Sequence, residues 1–275
     1  MQKTKKQHYI PRAAYLRRFS DTHYDDDKQN HLIVYDKIKK ISYRSNVYYC
    51  GFENFLYETD TLPPNCIENI LSEFDGVYVP LLDKIENICG SNSNENALVL
   101  HNAIEKSNLK FFTLLQYRRT SKIKRLCDEM EDTPDLFIYG LTGRTSDGQI
   151  SINDDHAKMK NDIIVFERNM SNTPFVLSDH PILSYHVNMD SYGTMNYRFP
   201  LTPWLQIFVI SPRSYEYNIQ WPYRNRIKFI SNVAHVNKWN EHSFQKSNRA
   251  IYLTPGYDFN LNEGDSDFLT IKQKD

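Results

Sequence analysis

Two spacings of apolar residues divide this chain. From Cys66 to Cys89 (CIENILSEFDGVYVPLLDKIENIC) they recur at helical intervals. Pro80, which has no N–H to donate, is expected to kink or divide that helix. The polar stretch GSNSNEN after Cys89 reads as a loop, and Ala97 to Met130 then carries the strongest helical pattern in the sequence. Nearer the start, Pro11 followed by AAYLRRF predicts a short helix with proline in its first turn and Tyr15, Leu16 and Phe19 on one face. Between these, HLIVYDK and KISYRSNVYYC are rich in β-branched and aromatic residues and predict a hairpin or meander.

From Ile163 the pattern changes to short runs of strand length: IIVFER, PFVLSD, RFPLTP, LQIFVIS and RIKFIS. A last short helix around Val236–Lys246 precedes the strand AIYLTP. Helices first and strands afterwards, without βαβ alternation, predict an α+β fold. In it a helical N-terminal half packs on a mainly antiparallel C-terminal sheet, as a single domain over residues 1–275. The segment 132–155 is dense in turn pairs (T-P, T-G, D-G) and acids, and is expected to be a mobile insertion.

Composition narrows the class. The net charge of -1 among 275 residues draws the chain neither to nucleic acid nor to acidic membranes, so any charged partner must be read from local patches. Nineteen Tyr and fifteen Phe against nine Gly favour an aromatic core over a glycine-lined cofactor cradle. Cys50, Cys66, Cys89 and Cys127 form no CxxC pair, which disfavours zinc and thioredoxin-type sites and favours reduced thiols. The basic start MQKTKKQHYIPR has no apolar region to follow it as a secretory signal would, and no run approaches eighteen apolar residues. The expected location is the cytoplasm.

Four stretches carry candidate chemistry. His8 precedes the helix-starting Pro11 by three residues, where free N–H groups would favour a neutral imidazole fit for a general base, unless it merely caps or packs. In FVLSDHPIL an apolar run ends in Ser178, Asp179 and His180, at a strand end that suits a site and equally suits an Asx turn. In QYRRT and beyond, Arg118, Lys122 and Arg125 share a helical face that reads as solvated, while Arg119 points inward. WPYRNRIK interleaves rings with Arg224, Arg226 and Lys228, as single-stranded nucleic acid requires and as edge strands also do. No P-loop, GxGxxG, GxSxG or HExxH is present. Asp154, Asp155 and His156 read as solvated loop, and DIIVFER echoes nuclease strands but lacks E-x-K because Arg168 and Asn169 follow Glu167.

Taken together, QHYIPRAAYLRRFS, IVYDK, QYRRT, FVLSDHP, FPLTP and a C-terminal N…A-I-Y resemble the bacterial domain-of-unknown-function family 4238. Its marks are an HxxP opening followed by YL, SDxP and a PLSP-like strand entry. Here they are His8 to Pro11 with Tyr15 and Leu16, Ser178 to Pro181, and Pro200 to Pro203. His180 departs from the Asn usual at that place, and the C-terminal Asn is either Asn237 or Asn240. The resemblance implies that polar motifs far apart in sequence share one pocket.

Three functions are expected from different classes. The first is hydrolysis of RNA or DNA, as a toxin or phage-defence effector. There His8 is the base, Arg119 stabilises phosphate charge, Asp179 orients or holds a divalent metal ion, and His180 is the acid or a second ligand. Ser178, Arg118, Lys122, Arg125, Arg224, Arg226 and Asn240 would bind. The second is a non-catalytic module that recognises an anionic ligand or a partner peptide. The third makes every motif a turn or cap. The sequence is silent on oligomeric state.

Overall fold

The computed structural model describes residues 4–22, 24–58, 60, 62–90, 100–129, 141, 152–186, 195–262 and 268–273. The fold is α+β. Short β1 (Lys6–His8) pairs antiparallel with β4 (Phe52–Asn54), and the hairpin of β2 (His31–Asp36) and β3 (Ile41–Asn46) lies between them in sequence. The stretch after Pro11 forms turns and a 3-10 helix, Leu16–Phe19, rather than an α-helix. Tyr15, Leu16 and Phe19 are buried all the same.

Helix α1 (Cys66–Gly90) runs unbroken through Pro80. Gly76, whose carbonyl the proline leaves without its helical donor, is exposed, so water hydrates that carbonyl and the helix need not divide. The long helical pattern after it resolves into α2 (Ala103–Arg118) and α3 (Ser121–Asp128), broken at Arg119 and Thr120. Of the expected insertion 132–155, only residues 141 and 152–155 lie among the described ones. Residues 152–155 open α4 (Ile152–Lys158).

The C-terminal part supplies two sheets. The larger has the order β10-β5-β9-β8-β7, from β5 (Ile163–Asn169), β7 (Leu183–His186), β8 (Met195–Thr202), β9 (Leu205–Ile210) and β10 (Ile227–Ile230). All its pairs are antiparallel except β10 with β5. In the second, antiparallel sheet the N-terminal hairpin joins C-terminal strands in the order β3-β2-β11-β6, with β6 at Leu177–Ser178 and β11 at Ala250–Leu253. Helix α5 (Tyr215–Gln220) and α6 (Val233–Lys246) complete the larger sheet's surroundings, and β12 (Tyr257–Asn262) pairs with β13 (Phe268–Gln273).

Alternation along β5 decides what each face meets. Ile164 and Phe166 join the main core with α1 and α2, whereas Ile163 and Val165 pack under α6 with Val236 and Trp239. No helix among the described residues is long and apolar enough to cross a membrane.

Candidate functional site

The opening motif and the QYRRT motif meet directly. Gln116 and Arg119 are three residues apart, so they leave α2 on one side. Gln116 Nε2 donates to the Tyr9 carbonyl at 2.8 Å and Arg119 Nη2 to the His8 carbonyl at 2.9 Å. Arg119 Nη1 also donates to Asp75 of α1 at 2.7 Å, and the Tyr57 hydroxyl caps the Arg119 carbonyl at 2.9 Å. Burial opposes the buried guanidinium's charge, but Asp75 and Tyr57 raise its pKa above the usual arginine value. His8 itself sits in β1 with its ring 5.6 Å from that of Phe52. Burial, then Arg12, lowers its pKa to about 4 against a hydrogen bond to the Cys50 backbone, so the imidazole is neutral at pH 7. The cause is therefore burial, because the four-residue 3-10 helix after Pro11 supplies no dipole of consequence. Among the described residues, His8 Nδ1, Tyr15 Oη, Gln116 Oε1 and Arg119 Nε are buried at this junction without a hydrogen-bond partner.

The SDHP motif approaches the same break in the helix from the other side. Thr120 Oγ1 lies 2.9 Å from His180 Nδ1, and burial followed by Lys122 and Lys246 lowers the His180 pKa to about 3. Asp179 faces away from His8 in its bonding. Its Oδ1 accepts the Asn248 N–H at 2.8 Å, and Oδ2 accepts those of Arg249 and Ala250 at 2.7 and 3.1 Å. Burial pushes its carboxyl up and these three donors pull it back. Ser178 Oγ donates to the His180 carbonyl at 2.6 Å, which closes the turn. Asn240 uses both ends of its amide on the backbone of Pro174 and Val176, at 2.9 and 3.0 Å.

The remaining expected binding residues are dispersed. Arg118 pairs with Asp155 of α4, Lys122 Nζ donates to the Lys246 carbonyl at 2.8 Å, and Arg125 is exposed. The break at Arg119 and Thr120 is why these three share no continuous face. Asp155 and His156 stand on α4, where His156 Nε2 is 2.9 Å from the Ser107 carbonyl, rather than in a solvated loop. Among the described residues no group of three or more His, Cys, Asp and Glu could hold a metal ion.

A different set of residues lines a cavity of about 550 Å³ between α2, the start of β5 and the segment after α5. It gathers Lys106, Lys110 and Arg224 with Tyr217 and Trp221, and Asp162 is its one acidic lining residue. Lys110 is buried, and its Nζ donates to the carbonyls of Met159 and Lys160 at 2.8 and 2.9 Å. Burial lowers the Lys110 pKa against the attraction of Asp162. Burial raises Asp162 to about 6, which Lys110 only partly counters. The Arg224 guanidinium stands 3.9 Å from the Trp221 ring centre, and Arg226 beside it is exposed.

Residues 6–139 match the model of a family described as a protein of unknown function, DUF4238. No curated protein and no solved structure matches the chain. The DUF4238 match covers the opening motif and QYRRT and stops short of Ser178 and Pro200, the later marks on which the resemblance also rests. The cavity straddles this limit. Lys106 and Lys110 come from the DUF4238 segment, while Asp162, Trp221 and Arg224 come from the part beyond it.

Sequence reasoning reached Arg224 by its aromatic neighbours and missed Lys106, Lys110 and Asp162. It also missed a polar row across the larger sheet. Glu167 accepts from Lys228 at 2.7 Å and Gln206 at 2.6 Å, and Gln206 accepts from the fully buried Arg198 at 2.6 Å. His235 Nε2 lies 3.0 Å from Glu167. Burial raises the Glu167 carboxyl, but His235 and Lys228 outweigh it and hold the pKa near 2. Lys228, in register with Glu167 on the parallel neighbour β10, stands where no residue of the DIIVFER run could supply a lysine. The available signal was an acid on the inward face of an otherwise apolar strand.

Proposed function

We propose that this chain binds a phosphate-bearing ligand with a planar ring, of the nucleotide type, in the cavity between α2 and β5. The observation that carries the reading is its lining: three cations and three aromatic rings against one carboxyl whose pKa is pushed up to about 6. Concave sites with few polar groups and shifted titrations are the usual places for ligands. Arginine and lysine suit a phosphate, and tryptophan and tyrosine suit a base. The reading places the chain in the cytoplasm, where its four free cysteines stay reduced.

Calorimetric titration with AMP, ribose 5-phosphate and inorganic phosphate at pH 7.5 tests this. AMP is expected to bind with a Kd at least tenfold below that of ribose 5-phosphate, and Arg224→Ala to weaken AMP binding about tenfold or more. If none of the three binds the wild-type chain, the reading fails.

Phosphodiester hydrolysis is a second reading of the same cavity, favoured by one observation. A carboxyl near pKa 6 beside cations is matched to proton transfer near neutral pH. Support for cleavage by His8 with Asp179 is weaker, because backbone N–H groups engage both Asp179 oxygens. The toxin or phage-defence role stands or falls with cleavage. On a panel of tRNA, other RNA and DNA, Asp162→Asn is expected to abolish turnover and spare binding. Absence of wild-type turnover with Mg²⁺, Mn²⁺ or chelator leaves binding alone.

A further inference from the structure

We infer that Tyr48, Tyr49 and Phe52 form a binding site for a small quaternary-ammonium compound, and that Lys6 of the same chain is its built-in competitor. Lys6 Nζ stands 4.3 Å from the ring centre of Tyr48, 4.2 Å from that of Tyr49 and 4.8 Å from that of Phe52. The two tyrosine rings lie at 86° with centres 5.0 Å apart, so they form a corner with Phe52 as a third wall. These walls are fixed from behind. Tyr48 and Tyr49 belong to the 3-10 helix Val47–Tyr49, whose buried Val47 donates its N–H to the Asn30 carbonyl at 2.8 Å. Before Phe52 the chain turns at Gly51, with φ of +63°, where a Cβ would stand 2.9 Å from Ile10 Cβ. The occupant, by contrast, is one flexible side chain. Tyr49 is 58% exposed and also lines a cavity of about 520 Å³ with His31, Arg44 and Asn46, which leaves the rest of a ligand room beside the cage.

Ring faces attract a cation and ask it for no hydrogen bond. A lysine ammonium carries three donors, and among the described residues Lys6 Nζ has neither an acceptor nor a carboxylate partner. In the cage it gives up part of its hydration and gains only the rings. A trimethylammonium group has no donor to lose, so exchanging it for Lys6 returns the lysine to water at no such cost. Anchoring β1 accounts for Lys6 against Phe52, its diagonal neighbour across the β1–β4 pair, but not for two tyrosines added from outside that pair. An anion is a poor occupant, because the ring faces are negative. Lys28 and Arg12 stand farther off, 5.4 and 5.8 Å from the Tyr48 ring centre, and Arg12 is paired with Asp27 at 2.8 Å.

The test is calorimetric titration of the full chain with choline and with ethanolamine, its unmethylated counterpart. Choline is expected to bind about tenfold or more tighter than ethanolamine, because only the methylated cation enters without losing donors. Lys6→Ala removes a competitor tethered at an effective concentration on the order of millimolar, and should tighten choline binding about fivefold or more. Lys6→Gln, which keeps the stem without the charge, repeats that comparison if the alanine variant loses β1. Tyr49→Ala, at an exposed ring, should weaken choline binding about tenfold, and Tyr49→Phe, which keeps the ring face, should retain it. If choline binds neither the wild-type chain nor the Lys6 variants, or ethanolamine binds as tightly, the site is overturned and the rings only anchor β1. Equal choline affinity in wild type and Tyr49→Ala overturns it as well. Equal affinity in wild type and the Lys6 variants overturns the part given to Lys6.

Discussion

Asp179 illustrates how much one buried carboxylate can organise. Its two oxygens, themselves buried, gather the part-buried N–H groups of Asn248, Arg249 and Ala250 at the start of β11. A hydrogen bond to a charged group contributes about 1.5–3 kcal/mol, so Asp179→Ala is expected to lower stability by about that much or more. A urea midpoint shifted by the equivalent of less than 1 kcal/mol would mean that water replaces the carboxylate. The two buried histidines set a pH dependence. Their pKa values are lowered from 6.5 to about 4 at His8 and about 3 at His180. Between those values and 6.5 the unfolded chain takes up protons that the folded chain refuses, so stability falls as the pH drops through that window. Asp162, raised from 3.8 to about 6, works the other way and costs stability as the pH rises through its own window. Replacing His180 with leucine is expected to flatten the stability-against-pH slope between pH 6.5 and 4 by about one proton. Urea unfolding at a series of pH values measures this, and an unchanged slope would remove His180 from the account.

At the level of elements, the break between α2 and α3 matters most. Arg119 ends one helix and reaches the His8 carbonyl and Asp75, while Thr120 begins the next and turns its hydroxyl to His180 instead of capping α3. The two-residue interruption therefore fastens the opening strand on one side and the SDHP turn on the other. Removing one partner of a buried ion pair costs about 3–5 kcal/mol, and Arg119→Leu is expected to cost that much. Trypsin should then cut between residues 5 and 12 before other internal sites, and equal resistance in the variant would show that β1 holds without Arg119. An ordinary cap is a smaller matter. Asn102 accepts the Ile104 N–H at 2.8 Å at the start of α2, and Asn102→Ala is expected to cost about 1 kcal/mol in the same unfolding measurement.

Over the whole molecule, the four-stranded sheet ties distant parts of the chain together. β2, from residues 31–36, has β11 of residues 250–253 as its inner neighbour, and β11 in turn carries β6. A fragment ending at residue 139, where the DUF4238 match ends, would expose the β2 edge and the buried face of Ile33 and Tyr35, whose cluster partners lie beyond it. That fragment is expected to lack cooperative thermal unfolding and to bind a hydrophobic dye. A sharp two-state transition in it would show that the segment folds alone.

Much of this was legible along the chain. Helical spacing marked α1 and α2, β-branched and aromatic runs marked β2, β5, β8, β9, β10 and β11, and their order determined an α+β fold, since those signals are local. The inward turn of Arg119 was legible too, from its place opposite the solvated residues of its helix. What Asp179, His180 and Asn240 do depends on partners sixty or more residues away. Asp179 reads as well for catalysis as for a turn until the backbone of residues 248–250 lies against it. Lys110 and Asp162 look ordinary in sequence, because a charged residue acquires a shifted pKa only through the burial and the neighbours that packing brings. Spacing within a segment fixes which face a residue occupies; the long-range contacts set what that face meets.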